Sequence, residues 1–111
     1  MRDVALAIAK SKKVNTQRPR VVIISQGAKP VIVATYQEGK TEDITEVEVP
    51  AIPSDQIVDS NGAGDSFTGG FLARLALGDD VLKAVKAGIW LSGEVVKRSS
   101  CTFPETNTYQ A

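Results

Sequence analysis

At 111 residues the sequence is one small domain or part of a larger one, and its 42% hydrophobic content is enough to build a core. The formal net charge is zero, which removes any electrostatic reason to expect nucleic acid or an acidic membrane as a partner. One cysteine, Cys101, and no histidine exclude a disulfide framework, a zinc cluster of the usual kind and a histidine-based triad.

No apolar run approaches membrane-spanning length. Arg2, Asp3 and Lys10 interrupt the stretch that a secretory signal would keep apolar. The expectation is therefore a soluble cytoplasmic protein, with the nucleus as a further compartment.

In chain order, residues 3–13 read as a helix, with Val4, Ala5, Ile8 and Ala9 on one face and Lys10, Lys12 and Lys13 towards its end. A polar connection broken by Pro19 follows. Val21-Val22-Ile23-Ile24 is β-rich and apolar on both faces, as expected of a central strand in a parallel α/β sheet. Helix, short loop and buried strand make half of an α/β unit, so the chain is expected to begin in the middle of a fold.

Gln26 to Pro30 is a turn. Val31 to Tyr36 is a second strand, expected to pair antiparallel with the first. After a turn at Glu38-Gly39-Lys40, residues 44–49 nearly alternate, which fits a half-exposed strand near a sheet edge. Pro50 and Pro53 end it, and residues 54–58 lead back towards the core, with Ile57 and Val58 as a short strand end.

A helix is expected over 65–77, with Phe67, Phe71 and Leu75 on one face, Leu72 alongside, and Gly69, Gly70 and Ala73 on another. The small face allows close packing on a sheet or a ligand, and tight packing is the simpler reading. Gly78 suits the end of this helix, and Asp79 or Asp80 the start of the next, over 80–98. The apolar stripe of that second helix is Leu82, Val85, Ile89 and Val96, interrupted by Ser92. The polar tail beyond it is expected to be loose.

The stretch that carries chemistry is Asp59-Ser60-Asn61-Gly62-Ala63-Gly64-Asp65. Gly62 and Gly64 let the backbone turn sharply and leave its N–H groups uncovered. The start of the following helix adds free donors and a partial positive charge, which together suit phosphate or another oxyanion. Asp65 puts a carboxylate beside that cradle. Two plain readings compete: Asp65 as an ordinary acidic residue at a helix start, and the glycines as a tight turn only. A dinucleotide fingerprint would need glycine at position 67, which is Phe67, and no Gly-Lys-Ser/Thr tripeptide occurs for a P-loop.

Extended to Ser66-Phe67 and Gly69-Gly70-Phe71, the stretch resembles the C-terminal signature of the ribokinase-like carbohydrate and nucleoside kinases, with Ser60 in place of the usual threonine. Two further segments resemble the adenosine kinases of that superfamily. They are the tail from Lys97 to Glu105, containing Cys101-Thr102-Phe103-Pro104, and the Ser25-Gln26-Gly27 turn after the first strand.

The resemblance covers the whole chain as the last third of such a kinase. It implies an α/β fold, the C-terminal part of a three-layer sandwich with a central, mostly parallel sheet and flanking helices. Residues 1–111 would form its ATP-side segment. The implied reaction is transfer of the ATP γ-phosphate to the ribose 5′-hydroxyl of adenosine, giving AMP.

By resemblance Asp65 is the catalytic base, and the amides of Gly62, Ala63 and Gly64 form the anion hole. Gln26, Gly27 and Asn61 lie along the nucleotide channel. Asp59 and Ser100 lie where relatives hold a monovalent cation such as K+. ATP with Mg2+ is the implied cofactor set.

Four further positions depart from the pattern. Ser100 stands where glycine is usual, which bears on the cation loop. Glu94 stands for an apolar residue, on a face the periodicity would bury. Ile89 and Trp90 replace a His-Tyr pair, which bears on adenine packing.

The family's lid strands, Gly-Gly signature, sugar-gripping acidic residue and Asn-x-x-Glu motif tied to Mg2+ are not found in the sequence. The chain is therefore expected to act only with an N-terminal half or within a larger assembly. Three alternatives stay open: a non-catalytic structural or binding module derived from such a kinase, a sugar kinase of the same superfamily, and an unrelated anion-binding α/β domain.

Overall fold

A computed structural model describes residues 1–98 and 106–110. The chain divides into two compact units, Met1–Val49 and Pro50–Ala111.

In the first unit, helix α1 (Arg2–Ala9) precedes three strands, β1 (Arg20–Gln26), β2 (Lys29–Gln37) and β3 (Thr41–Val47). They form an antiparallel meander in the order β1-β2-β3. The first hairpin turns at Gly27, φ 63°, and the second at Gly39, φ 75°, a backbone region that glycine enters without steric cost.

Ala5 and Ala9, one helical turn apart, bury their methyl groups against Ile32 and Ala34 of β2, with Val22, Ile24, Tyr36 and Ile44 packed around them. Alanines at the contact let the helix lie close to the sheet. Each buried valine or isoleucine in such a core contributes about 1.5–3 kcal/mol.

Helix α1 ends four residues before the sequence pattern suggests. The hydroxyl of Ser11 donates to the carbonyl of Ile8 at 2.7 Å. The guanidinium of Arg20 donates to the carbonyls of Ile8 and Lys12, each at 3.3 Å. These donors take the place of a further helical turn. Arg2–Glu46 (3.3 Å) and Lys10–Glu42 (2.6 Å) pin the helix to β3. The hydrogen bond to Glu42 holds the Lys10 amine above the ordinary lysine value.

The apolar run 21–24 is not a strand covered on both sides. Among the described residues β1 pairs only with β2, as an outer strand, and Val21 is 39% exposed. The central strand is β2, buried on both faces through Val31, Ile32, Val33 and Ala34. The antiparallel pairing of the first two strands and the edge position of the third are as expected.

The described residues of the second unit hold a 3-10 turn (Ser54–Gln56) and two helices, α2 (Ala63–Ala76) and α3 (Val81–Val96). Ile57 and Val58 are not a strand end. They are 51% and 61% exposed, and the amide of Val58 donates to the carbonyl of Val96 at 2.7 Å.

The two helices pack through their small residues. A Cβ added to Gly88 would lie 2.6 Å from the carbonyl oxygen of Phe67, and one added to Gly70 would lie 3.0 Å from that of Ala87. The face of α2 that touches α3 thus includes Phe67 and Gly70; Ser66 and Gly70 are buried, while Leu72 and Leu75 stay exposed. Of the small face expected to pack tightly, only Gly70 does so, against Ala87 and Gly88 of α3; Gly69 and Ala73 are exposed.

Gly78, φ 97°, follows the end of α2, and its amide reaches the carbonyl of Leu75 at 3.1 Å. Asp80 caps α3, its carboxylate accepting from the amide of Lys83 at 2.8 Å. In α3 the buried residues are Ala84, Val85, Ala87, Gly88, Ile89 and Val95, so of the expected stripe Leu82 is exposed and Val96 only half-buried. Glu94 is half-buried, with Lys97 and Arg98 each 3.9 Å away.

Candidate active site

The turn before α2 is held from two sides. The amides of Val58 and Asp59 both donate to the carbonyl of Val96, at 2.7 and 3.1 Å, which ties the turn to the last residue of α3. The carboxylate of Asp59 accepts from the amide of Asn61 at 2.9 Å and bends the chain locally. Asp59 thereby has a structural task.

Gly62 then sits at φ 80°, ψ 0°, in the left-handed region, and α2 begins at the next residue. With no Cβ, glycine takes this conformation freely, whereas other residues pay about 1–2 kcal/mol.

Helix α2 begins two residues earlier than the pattern suggests, so Asp65 lies in its first turn and is exposed. The amide of Ala63 turns back to the carbonyl of Ser60 at 3.3 Å, and that of Ser66 to the carbonyl of Gly62 at 2.9 Å. Among the described residues the amides of Gly62, Gly64 and Asp65 have no hydrogen-bond partner. A Cβ built on Gly64 would meet nothing within 4 Å. The result is a helix start with uncommitted donors, open space over one glycine and a carboxylate in the same turn. Such a start attracts an oxyanion, and the carboxylate can accept a proton from a nearby hydroxyl.

Asp59, Asn61, Gly62, Ala63, Gly64 and Asp65 are therefore brought together in one turn. Gln26 and Gly27 lie in the first unit, at the β1–β2 hairpin, where the side chain of Gln26 donates to the carbonyl of Pro30 at 2.8 Å. Ser100 lies outside the described residues. Ile89 is buried, and Trp90 faces Tyr109 with ring centroids 5.3 Å apart. In the tail expected to be loose, Thr106, Asn107, Thr108 and Gln110 are exposed and Tyr109 is half-buried. The tether to Val96 was not foreseen. It runs through main-chain atoms, whose partners no side-chain pattern announces.

Among the described residues no group of three or more histidine, cysteine, aspartate and glutamate residues is placed to hold a metal ion. None of their helices is long and apolar enough to cross a membrane.

Residues 2–108 match the family described as pfkB family carbohydrate kinase. The adenosine kinase of Schizosaccharomyces pombe is 45% identical over 104 residues, which are 94% of this chain and 29% of that protein. The crystal structure of Anopheles gambiae adenosine kinase, in complex with P1,P4-di(adenosine-5) tetraphosphate, has a TM-score of 0.83 and 39% identity, covering 95% of this chain and 31% of the other. The nucleoside kinase of Methanocaldococcus jannaschii, an archaeal member of the ribokinase family, has a TM-score of 0.59 and 28% identity, covering 73% of this chain and 25% of that one. The chain thus spans less than a third of the length of each of these relatives. Its helices and its sheet are part of a ribokinase-like α/β fold, and the chain belongs to the pfkB family of carbohydrate kinases.

Proposed function

We propose that this chain is the ATP-side segment of a kinase that phosphorylates adenosine at its ribose 5′-hydroxyl. The observation that carries the reading is the 62–65 turn: a left-handed Gly62, uncommitted amides at Gly62, Gly64 and Asp65, and the Asp65 carboxylate in the first turn of α2. The adenosine kinases of S. pombe and A. gambiae support adenosine as the acceptor.

Phosphoryl transfer asks a protein mainly for positioning and charge stabilisation. In this reading the amides at the helix start receive phosphate oxygens, and the positive end of α2 offsets their charge. Asp65 orients the 5′-hydroxyl and takes its proton as the new O–P bond forms and the bond from the γ-phosphorus to the bridging oxygen breaks, releasing ADP. Ala63 contributes less than its neighbours, because its amide is engaged with Ser60.

When bound, Mg2+ neutralises phosphate charge. The resemblance ties that ion to an Asn-x-x-Glu motif that is not found in this sequence, so no residue of this chain is assigned to it. For K+, Asp59 is the assigned side chain from the described part. Gln26, Gly27 and Asn61 are assigned to the nucleotide by the same resemblance.

The test is a phosphotransfer assay on the kinase assembled from this chain and its N-terminal complement. Asp65→Asn should lower kcat by about 10²–10⁴-fold, the usual contribution of a positioned acid–base group, with ATP binding little changed. Full activity of the Asp65→Asn protein would sink the assignment.

A further inference from the structure

None of the residues of the 59–65 turn takes part in a second feature of the C-terminal unit. A cavity of about 330 Å³ is lined by Gly70, Ala73 and Ala87, by Trp90 and Arg74, and by Tyr109 from the tail. The first three carry at most a methyl group, so the space lies where longer side chains are missing.

The Tyr109 ring stands 5.3 Å from that of Trp90, tilted by 59°. The guanidinium of Arg74 lies 5.7 Å from the centre of the same ring. Tilted ring pairs and cations over rings are both attractive arrangements. Arg74 is held in place independently, by its ion pair with Asp79 at 2.6 Å. The receiving surface is thus set by the helices and not by the tail.

Among the described residues of the tail, the ring of Tyr109 makes the main contact with the helices. Thr106, Asn107, Thr108 and Gln110 are exposed, and Tyr109 alone is half-buried. The amide of Tyr109 donates to the side chain of Asn107 at 2.9 Å, which bends the tail on itself. Among the described residues no hydrogen bond joins 106–110 to either helix.

We propose that residues 106–110 are a detachable strap, and that Trp90 and Arg74 form a binding site for one phenol-like ring, which Tyr109 occupies. Release of the strap uncovers Trp90 and opens the cavity to small aromatic molecules. A segment whose described residues are mostly exposed and make no hydrogen bond to the helices opens at low free-energy cost. The inference does not rest on the phosphotransfer reading.

Trp90 is the sole tryptophan of the chain, so its fluorescence reports the site directly. The 111-residue chain is compared with Tyr109→Ala and Tyr109→Phe by acrylamide quenching, with far-UV circular dichroism recording helix content. Tyr109→Ala should be quenched about twofold more strongly, with a red-shifted emission and unchanged helix signal, because a ring partner has been lost. Tyr109→Phe, which keeps the ring, should match the parent. Millimolar 4-methylphenol should restore protection in Tyr109→Ala and leave the parent unchanged.

The proposal is overturned if Tyr109→Ala is quenched like the parent or if Tyr109→Phe behaves like Tyr109→Ala. It is equally overturned if 4-methylphenol protects neither protein or both alike. A loss of helix signal in Tyr109→Ala would make Tyr109 part of the core, and that too rejects a strap.

Discussion

Gly62 is the residue whose backbone decides the geometry of the turn. At φ 80° it reverses the chain in one step, so that the amides at 62, 64 and 65 follow one another at the helix start. Alanine at this position pays the left-handed penalty of about 1–2 kcal/mol. Gly62→Ala is therefore expected to lower stability by that amount in a urea titration. It should also weaken phosphate-ligand binding more than its stability loss accounts for, because the turn relaxes away from the left-handed form. Asp65 differs in kind: it is exposed and caps nothing, so Asp65→Asn should leave the unfolding midpoint within about 0.5 kcal/mol. A residue that can be lost at little cost in stability, in the first turn of a helix, is free to serve chemistry.

At the scale of elements, the α2–α3 pair depends on glycine at the crossing. A methyl group on Gly88 would be forced to 2.6 Å from the carbonyl oxygen of Phe67, which is backbone and cannot swing aside. Gly88→Ala should therefore cost about 1–3 kcal/mol, the range for overpacking, and lower Tm by several degrees. Gly69 sits one residue before Gly70 on the same helix, yet a Cβ there would meet nothing within 4 Å. Gly69→Ala should be neutral or stabilise by up to about 1 kcal/mol through helix propensity. If both substitutions behave alike in thermal melts, the crossing is not the close contact described. The order of these elements was readable from Gly78 and Asp80, because capping chemistry is local. Which face of α2 meets α3 was only partly readable: Phe67 of the apolar pattern lies against Gly88, but Leu75 stays exposed and the other close approach is made by Gly70.

For the whole molecule, the chain corresponds to less than a third of the kinases it resembles. A site with a donor side and an acceptor side needs both to hold the reacting groups in line, and positioning supplies much of the acceleration. The 111-residue chain alone is expected to show no adenosine phosphorylation above background in a coupled ADP-release assay. Activity should appear when the N-terminal part is supplied, and Asp65→Asn should abolish it. Turnover by the chain alone would overturn the two-part reading. Binding of ATP without phosphotransfer, even when the N-terminal part is present, would favour a non-catalytic module.

What the sequence by itself determined is local. The glycine turns, the Asp80 cap, the antiparallel hairpin and the 59–65 signature depend on neighbours a few residues apart, and the residue types there are sufficient reason for the structure. What only the tertiary structure decided is which groups find partners across the chain. β2 rather than β1 is the central strand, because apolarity in a run of residues records a tendency to be buried and not which strand will be covered. The carbonyl of Val96 anchors the turn at Val58 and Asp59, and Tyr109 settles on Trp90 and Arg74. These are long-range contacts between main-chain atoms and between rings. Their energy exists only once the helices have brought distant residues together, so no spacing along the chain could announce them.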